Sequence, residues 1–178
     1  MIQRPLAVTC GDPSGIGLEV FFAAHKRIGN DIPMVLFADR KHLPNNINVT
    51  PWYPNVTKDF GSSVVLYQID FVNSAVPGKS DPQNAVGVIQ AIESAVSSAL
   101  KGNVAGLCTA PINKENLKVG GNFKFPGHTE FLAHLCGVET VVMMLTSSTL
   151  SVVPLTVHIP ISDVPQAITR ALFHKTAH

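Results

Sequence analysis

Short apolar runs alternate with segments of helical periodicity along this chain, and no other feature of the sequence limits the fold as strongly. The apolar runs have the length of buried strands and occupy residues 6–10, 33–38, 64–68 and 104–109. Helical patterns between them predict helices over residues 15–27 and 82–101. Strands that alternate with helices build parallel sheets, because each helix returns the chain to the start of the next strand. The sequence therefore predicts an α/β fold with parallel-rich sheets flanked by helices.

The predicted helix over residues 82–101 has the clearest boundaries. Asp81 can cap its first turn, Pro82 suits that turn, and Gly102 can end the helix. Its apolar positions recur at helical spacing and form one face made of Ala85, Ile89, Ile92, Val96 and Ala99. The helix over residues 15–27 is predicted to bury a face made of Ile16, Val20, Ala23 and Ala24.

A second alternation of helices and strands follows Pro126 and Gly127, which break the chain. We therefore predict two domains, with residues 1–127 as part of a first α/β domain and residues 128–178 as the start of a second. The remaining predictions are helices over 131–135 and 167–173, strands over 141–145 and 150–157, and loops across the Pro- and Asn-rich residues 42–60.

Charge and cysteine content exclude several classes of function. The chain has 178 residues with 13 Lys and Arg against 12 Asp and Glu, so we expect no basic surface for nucleic acid or an anionic membrane. Charged residues make up 14% of the chain, against ~25% in typical domains, which fits either an oligomer interface or a piece of a larger protein. Three scattered cysteines indicate a reducing compartment. With no recognisable signal sequence or membrane-length apolar stretch, the chain is predicted to be cytoplasmic.

Two segments follow predicted strands at the sheet edge where α/β proteins bind ligands. The first is GDPSGIG at residues 11–17, where Gly11 and Asp12 can contact an anion or another polar group beside a helix start, or where the glycines only form a tight turn. The second is TAPINK at residues 109–114. Lys114 can hold a phosphate or carboxylate or simply face solvent, and Asn113 is predicted to cap the next helix.

Two further segments carry imidazole groups. In PGHTE, His128 and Thr129 stand at the start of a predicted helix, which suits a polar or phosphorylated small molecule, although Thr129 can equally be a simple helix cap. In VHIP, His158 ends a predicted strand and can bind zinc or another divalent metal or be a structural residue. No other histidine has metal-ligand spacing to it.

Taken together, GDPSGIG, TAPINK, PGHTE and VHIP, the last followed by SDVP, resemble the 4-hydroxythreonine-4-phosphate dehydrogenase family in both order and spacing. The resemblance extends from Pro5 to about His174. It implies a two-domain α/β fold like that of isocitrate and isopropylmalate dehydrogenases, and a homodimer with its site in a cleft at the subunit interface.

The resemblance also implies an activity and assigns roles to residues. The family oxidises 4-phosphohydroxy-L-threonine with NAD, and the resulting β-keto acid loses carbon dioxide on the route to pyridoxal phosphate. By position, His128 and Thr129 match its substrate-binding pair, and His158 matches the first of three histidines that hold a divalent metal (zinc, magnesium or cobalt). That metal polarises the reacting hydroxyl.

The family's chain continues for nearly as long again beyond the point that matches His174. That further part carries the other two metal histidines, the catalytic Lys and Asp candidates and most of the NAD site. The sequence therefore predicts an amino-terminal half, incomplete at its carboxyl end and without turnover by itself. Leu18 also stands where the family usually has Pro.

Three alternatives stay open from the sequence. One is a dehydrogenase of four-carbon sugar-acid phosphates such as erythronate or threonate 4-phosphate. Another is a non-catalytic fragment that binds a phosphorylated ligand or associates with an intact partner. A relative of phosphate acetyltransferases, which share the broader fold, is more distant.

Overall fold

The computed structural model describes residues 4–54, 56, 60 and 63–177. Its backbone contacts divide the chain into two compact units, Met1–Gly127 and His128–His178. We name them unit 1 and unit 2 and describe each by itself. The assignment of these two stretches as parts of two α/β domains of an enzyme stays a prediction.

Unit 1 contains a five-stranded sheet in which every pair of neighbouring strands is parallel. Its strands are β1 (Leu6–Thr9), β2 (Met34–Ala38), β3 (Val49–Pro51), β4 (Val64–Gln68) and β5 (Gly106–Thr109). They lie in the order β3-β4-β2-β1-β5. The predicted α/β fold with a parallel-rich sheet is confirmed, and so are the four strands that the apolar runs predicted.

Strand β1 lies between β2 and the edge strand β5, with Leu6 opposite Met34 on one side and opposite Gly106 on the other. Strand β3 was not predicted, because residues 42–60 were interpreted as loops. Three residues are too few to show a strand pattern in the sequence. Pro51 lacks a backbone N–H, which is tolerated here because β3 is an edge strand with a neighbour on one side only. Part of that segment lies outside the described residues.

Helix α2 (Ala85–Leu100) confirms the clearest helix prediction. A 3-10 turn over Pro82–Asn84 precedes it, and the Asp81 carboxylate accepts a hydrogen bond from Gln83 N at 2.9 Å. Gly102 follows its end with a φ of 72°. The helix contacts β1, β2 and β5, so it covers one face of the sheet. Of the predicted apolar face, Ala85, Ile92 and Val96 are buried, whereas Ile89 and Ala99 are half-buried.

Helix α1 (Gly17–Ile28) buries a different face from the predicted one. Ile16 is 60% exposed, Val20 is 57% exposed and Ala23 is also exposed, whereas the buried residues are Gly17, Leu18 and Phe21. The reason is the close approach at Gly17, where a Cβ atom would lie 2.3 Å from Cys10 O. The buried face of α1 is therefore set by Gly17, which has no side chain. The hydrophobic pattern used for the prediction does not detect such a position.

Helix α3 (Lys114–Gly121) packs against the start of α2 through two glycines. A Cβ atom at Gly120 would lie 1.7 Å from Pro82 O, and one at Gly121 would lie 2.6 Å from Ile89 Cδ1. The backbones of the two helical segments are therefore closer than any side chain at residue 120 permits.

Asp39 follows β2 and is only 5% exposed. Its carboxylate connects the loop after β2 with the segment after β4. Its carboxylate accepts hydrogen bonds from Phe71 N at 2.8 Å, Lys41 N at 2.9 Å and Gln68 Nε2 at 3.1 Å. The Lys41 ammonium lies 3.3 Å from Oδ2. Burial by itself raises the pKa of Asp39, but the hydrogen bonds outweigh burial and the pKa lies below its ordinary value.

We expect this network to make the stability of unit 1 sensitive to acid. A carboxyl whose pKa is lowered by folding stabilises fully above its unfolded pKa, here 3.8, and that contribution is lost as the pH falls below it. Asp39→Asn should cost about 2 kcal/mol of unfolding free energy at neutral pH and should flatten the acid-dependent loss. Urea unfolding from neutral pH to about pH 3 measures both effects, with exposed Asp31→Asn as the control. A wild-type-like pH dependence in Asp39→Asn would contradict the expectation.

Unit 2 contains α4 (His128–Cys136), α5 (Val164–Ala167), α6 (Arg170–Ala177) and a two-stranded antiparallel ladder of β6 (Leu145–Thr146) and β7 (Ser151–Val152). The strands predicted over 141–145 and 150–157 are therefore wrong in length. Their apolar residues are mostly exposed, and among the described residues of unit 2 no parallel neighbour pairs with them. Without such a neighbour, an apolar run does not extend into a strand.

The helix predicted over 167–173 is interrupted. Helix α5 ends at Ala167, Ile168 is extended with a ψ of 101°, and α6 begins at Arg170. The Thr169 hydroxyl accepts a hydrogen bond from Leu172 N at 3.1 Å, as an N-cap does, so it starts a new helix.

Among the helices that the structure describes in either unit, none has both the length and the apolar composition of a membrane span.

Candidate functional site

At the carboxyl end of the unit 1 sheet, the GDPSGIG loop packs directly on the TAPINK loop. Gly11 has a φ of 68°, and a Cβ atom there would lie 2.3 Å from Pro111 O. Asp12 N donates a hydrogen bond to the same Pro111 carbonyl at 2.9 Å. Both segments thus follow neighbouring strands, as the sequence predicted, and they meet through their backbones.

The Asp12 carboxylate ties these loops to a third segment of unit 1. It accepts a hydrogen bond from Ser14 N at 2.9 Å and another from the Ser80 hydroxyl. The Ser80 oxygen in turn accepts hydrogen bonds from the side-chain amides of Asn113, at 3.3 Å, and Asn116. Beside this cluster the structure leaves a space of only about 10 Å³, roughly enough for one water molecule.

Two of the three predicted contact residues of unit 1 have contacts within the chain. Asp12 forms hydrogen bonds with other segments and Gly11 packs closely against Pro111, whereas Lys114 is an exposed residue at the start of α3. Asn113 caps α3 by accepting a hydrogen bond from Asn116 N at 3.2 Å, which confirms that prediction. The proposed ligand contacts of Gly11, Asp12 and Lys114 remain predictions. Sequence reasoning missed Ser80, because no local pattern connects it with Asp12.

In unit 2, two of the predicted site residues meet at one cleft of about 340 Å³, a size that suits a small ligand. Thr129 reaches it from the first turn of α4, and His158 reaches it from the segment after β7. His128 begins α4, is half-buried and does not line the cleft. The other walls come from α6 and from the residues before β6, among them Thr140, Val141, Val142, Met143, Leu172, Lys175 and Thr176.

The cleft has a mixed lining with three formally charged side chains. Glu130 and Glu139 contribute carboxylates, and Lys175 contributes an ammonium. The apolar part comes from Val141, Met143, Leu155 and Leu172. Sequence reasoning did not select Lys175 or the two glutamates, since each looks like an ordinary exposed residue in its own segment.

The backbone at His158 adopts a left-handed conformation, with a φ of 58°. A residue with a side chain rarely occupies this region, and such positions are enriched at functional sites. It ends the segment that follows β7, just before Ile159 and Pro160. The turn at this point places an imidazole in the cleft wall instead of continuing an extended chain.

The donor set around His158 does not make a complete metal site. An imidazole is a suitable ligand for zinc, but within the described ranges no group of three or more His, Cys, Asp or Glu residues is arranged to hold a metal ion. The described residues thus fit a divalent metal only in part, through His158.

The parallel sheet of unit 1 with its flanking helices places the chain in the class of α/β proteins. Within that class, the chain belongs to the family of the pyridoxal phosphate biosynthetic protein PdxA, whose family model matches residues 30–178. This confirms the resemblance that the four motifs indicated.

Individual relatives agree with this result. The 4-hydroxythreonine-4-phosphate dehydrogenase of Paracoccus denitrificans is 47% identical over 174 residues, covering 93% of this chain and 52% of the relative. The enzyme of the same name from a Ruegeria species is 44% identical over 169 residues, covering 92% of this chain and 51% of the relative. A crystal structure of a 4-hydroxythreonine-4-phosphate dehydrogenase from Burkholderia phymatum superposes with a TM-score of 0.87 at 29% identity, covering 98% of this chain and 56% of that one. The chain thus spans about half the length of the curated relatives it matches.

Proposed function

We propose that this chain supplies the substrate-binding cleft of a 4-hydroxythreonine-4-phosphate dehydrogenase, an NAD-dependent oxidoreductase of pyridoxal phosphate biosynthesis. The observation that carries the proposal is the meeting of Thr129 and His158 at one cleft, in a chain that belongs to the PdxA family. Relatives of that name cover almost the whole chain.

The proposed reaction assigns distinct tasks to the site residues. The substrate is 4-phosphohydroxy-L-threonine; its alcohol carbon gives a hydride to NAD, its hydroxyl gives up a proton, and the β-keto acid then releases carbon dioxide. His128 and Thr129 bind the substrate, and the Thr129 hydroxyl can both donate and accept a hydrogen bond in the cleft. His158 provides one ligand for a divalent metal (zinc, magnesium or cobalt). The other ligands are not among the residues that line the cleft with it.

The carboxyl end of the unit 1 sheet has a smaller role in the proposed function. Lys114 is exposed at the start of α3 and can contact an anionic group, while Asp12 and Gly11 hold the neighbouring loop in position. We assign these residues to ligand contact or to support of the ligand-binding edge. The proposal also includes a homodimer in the cytoplasm, supported by the low charge and by three cysteines that form no disulfide.

Calorimetric titration of the purified chain with 4-phosphohydroxy-L-threonine tests the proposal. Thr129→Val should weaken binding by roughly tenfold, since loss of one hydrogen bond costs about 1–1.5 kcal/mol. Thr149→Val, at an exposed threonine of the β6–β7 turn, is the matched control and should bind like wild type. No binding by wild type, or equal binding by both variants, would overturn the proposed role of the cleft.

A panel of related ligands separates the neighbouring substrates. Erythronate 4-phosphate and threonate 4-phosphate keep the four-carbon skeleton and phosphate but lack the amino group of the proposed substrate. Tighter binding of either compound would move the assignment to a sugar-acid phosphate dehydrogenase of the same family.

A further inference from the structure

We propose that Lys175 binds the phosphate group of the substrate in the unit 2 cleft; this inference rests on the function proposed above and assigns one end of the ligand to one residue. The motifs that carry the family resemblance do not include Lys175. Its placement in the structure is the reason to select it.

The first argument comes from charge. Apart from histidine, the cleft lining contains two carboxylates, Glu130 and Glu139, and a single cation, Lys175. A phosphate group that carries nearly two negative charges is repelled by both carboxylates unless a cation lies beside it. Of the side chains that line the cleft, Lys175 is the one that brings an ammonium group to a phosphate.

The second argument comes from helix geometry. Leu172, Lys175 and Thr176 line the cleft together, and their spacing of three and four residues places them on one face of α6. Thr176 Oγ1 donates its hydrogen to Leu172 O at 2.9 Å, so that donor is already used within the helix. Lys175 is therefore the residue on this face with donors to offer a ligand.

The third argument is that the structure shows no carboxylate within ion-pair distance of the Lys175 ammonium among the described residues. Across residues 4–54, 56, 60 and 63–177, the structure shows an ion pair between Lys41 and Asp39 and none that involves Lys175. Its side chain is exposed at the cleft, so a ligand can reach the ammonium without first breaking an internal contact. An ammonium that binds phosphate in this way makes charge-assisted hydrogen bonds.

The experiment compares two ligands across matched variants by calorimetry. The ligands are 4-phosphohydroxy-L-threonine and 4-hydroxy-L-threonine, which differ only in the phosphate. Lys175→Met should weaken binding of the phosphorylated ligand by roughly tenfold and leave binding of the other unchanged. Lys175→Arg should stay within about threefold of wild type because it keeps the charge. Arg170→Met, also on α6 but not in the cleft lining, is the control and should bind like wild type.

The outcomes distinguish this inference from the proposed function. If wild type and Lys175→Met bind the phosphorylated ligand equally, or if Lys175→Met weakens both ligands equally, the assignment of Lys175 to phosphate is overturned while the cleft keeps its function. If wild type binds neither ligand, both proposals fail. Circular dichroism and urea midpoints of all variants verify that lost binding does not reflect unfolding.

Discussion

Gly120→Ala is expected to destabilise unit 1 by at least about 3 kcal/mol, a large share of the 5–15 kcal/mol by which domains are usually stable. The added Cβ atom would lie 1.7 Å from Pro82 O and 2.5 Å from Pro82 C. Both are backbone atoms, and they belong to the turn that starts α2, so no rotamer change relieves the overlap. Relief requires α3 to move away from α2, which also disrupts the contact of Gly121 with Ala85 and Ile89.

Urea unfolding followed by circular dichroism measures this effect. Gly106→Ala in β5 is the matched control, since a Cβ atom there meets only Leu6 Cδ2, at 3.7 Å, which is ordinary contact. We expect a marked loss of unfolding free energy, or no folded protein, for Gly120→Ala and a near-wild-type midpoint for Gly106→Ala. Similar midpoints for the two variants would show that α3 does not pack this closely.

Gly11→Ala is expected to cost about 3 kcal/mol for two additive reasons. The backbone at this position is left-handed, with a φ of 68°, which costs an L-residue about 1 kcal/mol. In addition, a Cβ atom would lie 2.3 Å from Pro111 O and 3.0 Å from Ala110 C. The variant therefore separates the GDPSGIG loop from the TAPINK loop and breaks the hydrogen bond from Asp12 N.

Gly78→Ala measures the cost of the left-handed backbone alone. Gly78 has a similar φ of 75°, but nothing lies within 4 Å of the position of its Cβ atom. We expect a loss of about 1 kcal/mol for Gly78→Ala, so the difference between the two variants in thermal or urea unfolding measures the contact with Pro111. A difference near zero would argue against direct packing of the two loops.

The parallel sheet and its main helices were predictable because their signals are local. An apolar run such as Met34–Ala38, or Asp81 and Pro82 before a helical pattern, contains enough information within a few residues. The errors arise where distant residues decide the outcome. A Cβ atom at Gly17 would meet Cys10 O, so α1 turns this glycine inward together with Leu18 and Phe21. Among the described residues of unit 2, the apolar residues 141–145 and 150–157 have no parallel neighbours that would extend them.

The candidate site shows the same division. Motif order identified Thr129 and His158, and the structure brings both to one cleft. Two of the cleft's three charged residues, Glu139 and Lys175, come from segments with no distinctive pattern, and only folding places them together. The link between Asp12 and Ser80 joins residues 68 positions apart, beyond the reach of any spacing rule.

The position of β1 between β2 and β5 also has a consequence for biosynthesis. Leu6 pairs on one side with Gly106, about a hundred residues later in the chain. During translation, β1 leaves the ribosome about a hundred residues before β5, so one of its edges stays unpaired until β5 has emerged. Such long-range pairing slows folding and exposes unpaired strand edges in the meantime, so a nascent chain that has not yet reached β5 presents an open edge of β1.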